Sequence, residues 1–313
     1  MTELRGIVAA TDLSAPARRA ADRAARLACS ASASLTLLLV VSRSGLDELR
    51  RWLDTGDGNE QSLLDEVRAR QRTLASELGA RHGIDVDHRV VIGNPVDEIV
   101  GVAHERQADL IVTGTLGSGF LRNRLLGSTA ERVVRKSAQP VLIVRQTAHE
   151  SYRRVLVPVD FSAWSAPSID MAACIAPDAH FVLLHALEAP FEGALGLAGV
   201  EVRLVDEYRA TARNHAMRGM QELARRAALA DGRWSAVTSD SGSAWTAIIG
   251  QEQEQGCDLI VLGKHGRNAA EEVLFGSTAN RVIGESSSDV LVCTRERPMA
   301  GSGSVQRPQA SGP

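Results

Sequence analysis

The sequence offers little that stacks, little that crosslinks and no long apolar run. Aromatic residues make up 4% of its 313 positions, too few for the stacking platforms that hold single-stranded nucleic acid. A net charge of −3 supplies no polyelectrolyte attraction to DNA or RNA, so no nucleic-acid partner is expected. The four cysteines, Cys29, Cys174, Cys257 and Cys293, are scattered with no CxxC or CxH pairing. A disulfide framework or zinc site needs grouped ligands, so these read as reduced, mostly packed thiols and no metal site is expected. No apolar run approaches the roughly 18–20 residues that cross a bilayer. Met1 to Arg5 leads straight into a strand-like segment without a signal-peptide pattern. No membrane partner is expected, and a cytoplasmic location follows by elimination.

Common catalytic signatures are missing too. The chain contains neither GxxxxGK[ST] nor GxSxG. His82, His88, His185, His215 and His265 lack triad-like neighbours. GTLGSG at 114–119 is not GxGxxG, and it follows the fourth strand-like segment of its half rather than the first, which excludes a Rossmann dehydrogenase. No catalytic residue is assigned and the chain is expected not to be an enzyme, although slow hydrolysis of a bound nucleotide stays open.

What is present is a duplication. ADLIVTGTLGSGFLRNRLLGSTAERVVRKSAQPVLIVR, ending at Arg145, and CDLIVLGKHGRNAAEEVLFGSTANRVIGESSSDVLVCTR, ending at Arg295, share their glycines and their GST triplet at a constant offset of 149. The starts of the halves also match, GIVAATDLSAPA against RVLVPVDFSAWSAPS, pairing Asp12 with Asp160 and Ser14 with Ser162. So long a period suits a duplicated domain and not a solenoid. Two domains are expected, at 1–147 and 152–296, joined near 146–152. A disordered tail rich in Gly, Ser, Pro and Gln is expected over 297–313.

Within the first half, strand-like runs near 5–11, 34–42, 86–92, 109–114 and 141–145 alternate with amphipathic stretches near 15–30, 59–82, 95–106 and 127–137. The second half repeats the strands near 153–159, 180–187, 233–239, 258–263 and 289–294, with a loop around 189–200. Unbroken apolar runs such as LTLLLVV indicate strands buried on both faces. Alternating β and α implies a parallel sheet with right-handed crossovers. Each half is therefore expected to be an α/β, doubly wound domain with a five-stranded parallel sheet in the order 3-2-1-4-5.

The sharpest local signal is G-x2-G-x9-G-[ST], present once per half: Gly114, Gly117, Gly127 and Ser128, then Gly263, Gly266, Gly276 and Ser277. The first glycine ends a strand and the third precedes a helix. Ligands of open α/β sheets bind beyond the strand carboxyl ends, and glycine lets a backbone approach a phosphate closely. The helix start presents free N–H groups at a positive dipole end, worth about 0.3–1 kcal/mol to an anion. Ser128 and Ser277 also read as simple N-caps, Ser128 forming a capping box with Glu131. Asp12 and Asp160 likewise fit a turn into the first helix, with Ser14 or Ser162 as its N-cap.

Both halves resemble the universal stress protein family, in its nucleotide-binding branch and tandem form. ATDLS and VPVDFS, GNPVDEI and SGSAWTAI, and both glycine motifs carry the resemblance over nearly all of residues 1–295. It implies that Asp12 and Asp160, with the backbone at Val40 and Ala186, meet an adenine. It implies that the glycines with Ser128, Thr129, Ser277 and Thr278 hold ribose and phosphates. It further implies an internal pseudo-dimer through the last strand of each half. The ligand would be ATP or AMP, with or without Mg.

The halves are not identical in their loops. Lys264, His265 and Arg267 stand where phosphates are expected in the second half, opposed by Glu271 and Glu272, and lysine occurs elsewhere only at 136. The first half has Thr115 and Leu116 there, with Arg122 and Arg124 further on. Both halves are expected to bind, with unequal affinity. The expected role is a cytoplasmic stress-response regulator whose bound nucleotide alters contacts with an unknown protein partner, with homodimer formation open. The alternatives are a slow ATPase or self-phosphorylating enzyme, and a structural tandem that has lost its ligand.

Overall fold

In the computed structural model the described residues are 3–43, 45–46, 57–115, 128–187, 202–240, 242–264 and 276–294. The first half contains β1 (Gly6–Thr11), α1 (Ala15–Ala31), β2 (Ser34–Ser42), α2 (Asp57–His82), β3 (Val86–Gly93), α3 (Pro95–Glu105), β4 (Leu110–Gly114), α4 (Ser128–Lys136) and β5 (Val141–Val144). The second half repeats the sequence of elements as β6 (Arg154–Pro158), α5 (Ser165–Ile175), β7 (His180–Ala186), α6 (Val202–Arg226), β8 (Trp234–Ser239), α7 (Ala244–Gln255), β9 (Leu259–Gly263), α8 (Ser277–Glu285) and β10 (Asp289–Cys293). The loop expected at 189–200 and the tail at 297–313 lie outside the described residues.

The strand order is β3-β2-β1-β4-β5-β10-β9-β6-β7-β8. Each half thus runs 3-2-1-4-5, the expected order. The two sheets are fused into one, because β5 and β10 pair antiparallel, with Val290 opposite Ile143 and Val292 opposite Val141. All four residues of β5 are fully buried. Every other strand pairing is parallel.

Period-two alternation along the strands sends side chains to two cores. One face gathers Ile7, Leu37, Leu183 and Leu291 with the buried faces of α1, α2, α5 and α6. The other gathers Val8, Leu38, Val182 and Val290 with α3, α4, α7 and α8. Each core runs through both halves, so the molecule is one three-layer α/β/α slab. In α1 the buried face is Ala17, Ala20, Ala21, Ala24, Ala25 and Ala28. Methyl-sized side chains let that helix lie close on the sheet. At the carboxyl end of β4 the approach is closest, where a Cβ on Gly114 would meet the Pro16 carbonyl carbon and oxygen at 2.9 Å.

The connection between the halves is clamped. Asp289, fully buried at the start of β10, accepts from the amides of Arg145 and Gln146 at 2.7 and 2.9 Å through Oδ1 and from the Tyr152 hydroxyl at 2.7 Å through Oδ2. Arg23 of α1 lies 3.3 Å from the same carboxylate, stacks 4.0 Å over the Tyr152 ring and donates to the Glu150 carbonyl. Burial and the neighbouring carboxylate push the Tyr152 phenol well above its ordinary pKa. The polar stretch at 146–152 is therefore fastened to both halves.

Candidate functional site

In a 3-2-1-4-5 sheet the chain reverses its direction of growth between the first and fourth strands, and their carboxyl ends border a crevice. Here these are β1 with β4 and β6 with β9. Continuing the observed register puts Thr11 level with Gly114 and Val159 level with Gly263. It also puts Asp12 beside Val40 on β2 and Asp160 beside Ala186 on β7. These places are equivalent in the two halves.

Asp12 and Asp160 sit in the same turn. The Asp12 carboxylate accepts from the Ser14 amide at 3.0 Å, and that of Asp160 accepts from the Ser162 amide at 3.0 Å. Between them Leu13 and Phe161 adopt left-handed backbone, with φ of 65° and 61°. Bulky non-glycine residues rarely hold that conformation, which costs on the order of 1–2 kcal/mol. Its occurrence at one place in both halves marks a constrained turn at the mouth of each crevice. Neither strained residue was singled out from sequence, although the recurrent Asp-x-Ser spacing is the signal of such a turn.

The turns then diverge. Ser14 is the N-cap of α1, accepting from the Ala17 amide at 3.4 Å. Ser162 does not cap: α5 starts later, after Trp164. The Ser162 hydroxyl accepts from the Trp164 amide, and Ser165 instead donates to Asp160 at 3.1 Å. The extra residues of FSAWS shift the helix start beyond the serine's reach. The second crevice also gains an imidazole. His185 donates through Nδ1 to the Val159 carbonyl at 2.7 Å and packs against Phe161, ring centroids 4.6 Å apart. A carbonyl can only accept, so this bond sets the tautomer.

Of the glycine motifs, Gly114, Gly263 and Gly276 are described, together with the helical backbones of Ser128, Thr129, Ser277 and Thr278. Gly117, Gly127, His265 and Gly266 lie outside the described residues, as do Leu116, Arg122, Arg124, Arg267, Glu271, Glu272 and the Ser128 side chain. Thr115 is buried. One N-cap expectation needs correction here. The described part of α4 begins at Ser128, and Glu131 pairs with Arg135 at 2.9 Å one turn on. Ser277 is inside α8, whose N-cap is Gly276. Among the described residues no side chain caps α8, and Ser277 is exposed. The Gly276 amide itself turns back to the Lys264 carbonyl at 3.4 Å.

Gly114 and Gly276 are glycines for different reasons. At Gly114 the close packing of α1 leaves no room for a Cβ. At Gly276, φ is −57° and ψ 136°, a conformation open to any residue. Among the described residues, a Cβ there would meet the Lys264 carbonyl at an ordinary 3.6 Å, and none of them requires that position to be bare.

Lys264 does not lie over its own half's helix start. Its ammonium donates to the Arg135 carbonyl at 2.7 Å and more weakly to that of Ser137 at 3.4 Å, both at the carboxyl end of α4 in the first half. Burial lowers its pKa below the ordinary lysine value. Among the described residues there is no group of His, Cys, Asp and Glu able to hold a metal, and no helix long and apolar enough to cross a membrane.

Comparison with known proteins agrees with this architecture. The sequence model of the universal stress protein family matches twice, over residues 3–145 and 151–294. A universal stress protein of Mycolicibacterium smegmatis is 26% identical over 301 residues, covering 92% of this chain and 96% of its own. One from Mycobacterium tuberculosis is 33% identical over 156 residues, 47% of this chain and the whole of that protein. The crystal structure of a universal stress protein from Archaeoglobus fulgidus superposes with a TM-score of 0.66 at 20% identity, covering 94% of this chain and 97% of that one. The matches span both halves, and the chain belongs to the universal stress protein family as a tandem pair of its domains.

Proposed function

We propose that each half binds an adenine nucleotide, ATP or AMP, in the crevice between its first and fourth strands, and that binding regulates contacts with a protein partner in a cytoplasmic stress response. The observation that carries this reading is Gly276. The residue begins a helix that no side chain among the described residues caps, beside the end of β9, with neither backbone strain nor crowding from those residues to call for glycine. Close approach of a ligand would account for a glycine there, and a helix start is suited to a phosphate. Asp12 and Val40, and Asp160 and Ala186, would flank the adenine. Gly114, Gly117, Gly127, Ser128 and Thr129 would hold the ribose and phosphates of the first half, and Gly263, Lys264, His265, Gly266, Gly276, Ser277 and Thr278 those of the second.

Protein purified from cells and denatured by heat should release about one or two equivalents of adenine nucleotide. Calorimetric titration, with and without Mg, should show binding that the double variant Gly127→Val, Gly276→Val abolishes while its circular dichroism is nearly unchanged. Unimpaired binding in that variant would refute the placement of the phosphates. Absence of nucleotide in both experiments would favour a structural tandem. The protein is proposed to bind without ordinary turnover. A hydrolysis rate above about 1 s⁻¹ on extensively purified protein, the low end for enzymes, would make it an ATPase instead.

A further inference from the structure

We propose that Lys264 is shared between the two halves, so that occupancy of the second site weakens binding at the first. This rests on the nucleotide reading above and adds a coupling to it. The main chain of Lys264 is fixed between two elements of its own half. Its amide donates to the Cys293 carbonyl at 2.8 Å, and its carbonyl accepts from the Gly276 amide at the start of α8. Its flexible four-carbon stem leads the other way, to the last carbonyls of α4. A lysine there satisfies carbonyls that have no partner within the helix and opposes the negative end of its dipole.

Two features make this contact exchangeable. The ammonium is half-buried, and among the described residues no carboxylate pairs with it. The other lysine, Lys136, is bound to Asp97 at 2.5 Å. A phosphate at the start of α8 would bring an anion beside the very residue to which the Lys264 backbone is bonded, and would compete for an ammonium whose partners among the described residues are carbonyls. Lys264 thus has two alternative positions, on the end of α4 or on a phosphate of its own half. Leaving α4 would uncap a helix whose other end, Ser128 and Thr129, is the cradle of the first half. The device is built once, because the equivalent residue of the first half is Thr115, which is buried and short. Since coupling between binding sites is reciprocal, a nucleotide in the first half weakens the second equally.

The test titrates the full chain with AMP and with adenosine. In Gly276→Val, where the second site is blocked, the first site should bind AMP about 5-fold more tightly than it does in the wild type with its second site filled, a coupling at the low end of the usual range. Lys264→Met should abolish that difference and weaken AMP at the second site while leaving adenosine, which has no phosphate, unchanged. Lys264→Arg should restore part of both effects, and thermal melting identifies any variant that fails to fold. Equal first-site affinity in wild type and Gly276→Val would overturn the coupling while the nucleotide reading survives. Equal loss of AMP and adenosine in Lys264→Met would also overturn it, by reducing the lysine to a structural prop. No heat with either ligand in the wild type would remove the nucleotide reading, and the coupling with it.

Discussion

The two halves share strand order, turn geometry and motif spacing, yet the polar groups buried where they join are unevenly distributed. In the first half, the positions equivalent to Glu252, Asp289 and Lys264 are Ala103, Pro140 and Thr115. In the second half these three residues make, respectively, a knot of hydrogen bonds to a serine loop, the clamp on the connection and the contact across to α4. A duplicated domain needs identical halves only for its fold. Asp289 and Lys264, which only the second half carries, add polar ties across the joint that β5 and β10 form together.

Substitutions can break this asymmetry at several depths. The largest effect is expected at Asp289, where Asp289→Ala removes the partner of a buried Arg23 and three further donors. By the usual cost of stranding one member of a buried pair, it should destabilise the chain by about 3–5 kcal/mol in urea titration. Next comes Glu252, of which 3% is exposed. One of its oxygens accepts from the Ser287 and Ser288 amides at 2.9 and 2.7 Å and from the Ser286 and Ser287 hydroxyls at 3.0 Å. Glu252→Ala should cost about 2–3 kcal/mol, in line with lost hydrogen bonds to a charged group.

A paired substitution sharpens the comparison of the two glycines. Gly114→Ala should lose about 1–3 kcal/mol, since a Cβ would be driven into the backbone of α1. Gly276→Ala should lose less than about 1 kcal/mol, the range for an N-cap change from glycine, and should act on nucleotide affinity instead. If the two variants lose stability equally, the ligand-based reason for Gly276 falls.

The smallest effect is a pH dependence confined to the helix layer. Burial raises the Asp22 pKa, but hydrogen bonds from His82 and Arg81, at 2.9 and 2.8 Å, outweigh it and leave the carboxyl below its usual value. A depressed folded value means that this tie between α1 and α2 stabilises above the ordinary aspartate pKa, near 3.9. That contribution is lost as pH falls through the lower folded value. In the second half Glu222, held down to about 2 by Arg225 and Arg226, pairs only within its own helix. Denaturant midpoints measured from pH 5 downward should therefore fall less steeply in Asp22→Asn than in the wild type.

The sequence made the repeat legible through glycine spacing and the alternation of strands and helices through local periodicity, whereas strand order is a matter of tertiary pairing. The assignment of Asp12, Val40, Asp160 and Ala186 to an adenine comes through the family resemblance and not from any local pattern. Two kinds of information stayed hidden. Ser162 and Ser277 look like caps by residue type, but a shift of one or two residues in the helix start moves each out of the cap position. The destination of Lys264 spans 129 residues in sequence and depends on the antiparallel joint, so no local pattern announces it. Asp289 stands at the start of an expected strand, and no local pattern announces its clamp on the connection.

The joint between β5 and β10 has a further consequence. A half made alone would present β5, a bare apolar strand edge ready to template pairing with any copy it meets. Covalent linkage presents each edge with its mate at a fixed high effective concentration. The pair therefore closes independently of dilution, with exactly one copy of each unlike half, whereas separate subunits would associate by mass action and mix as like pairs too.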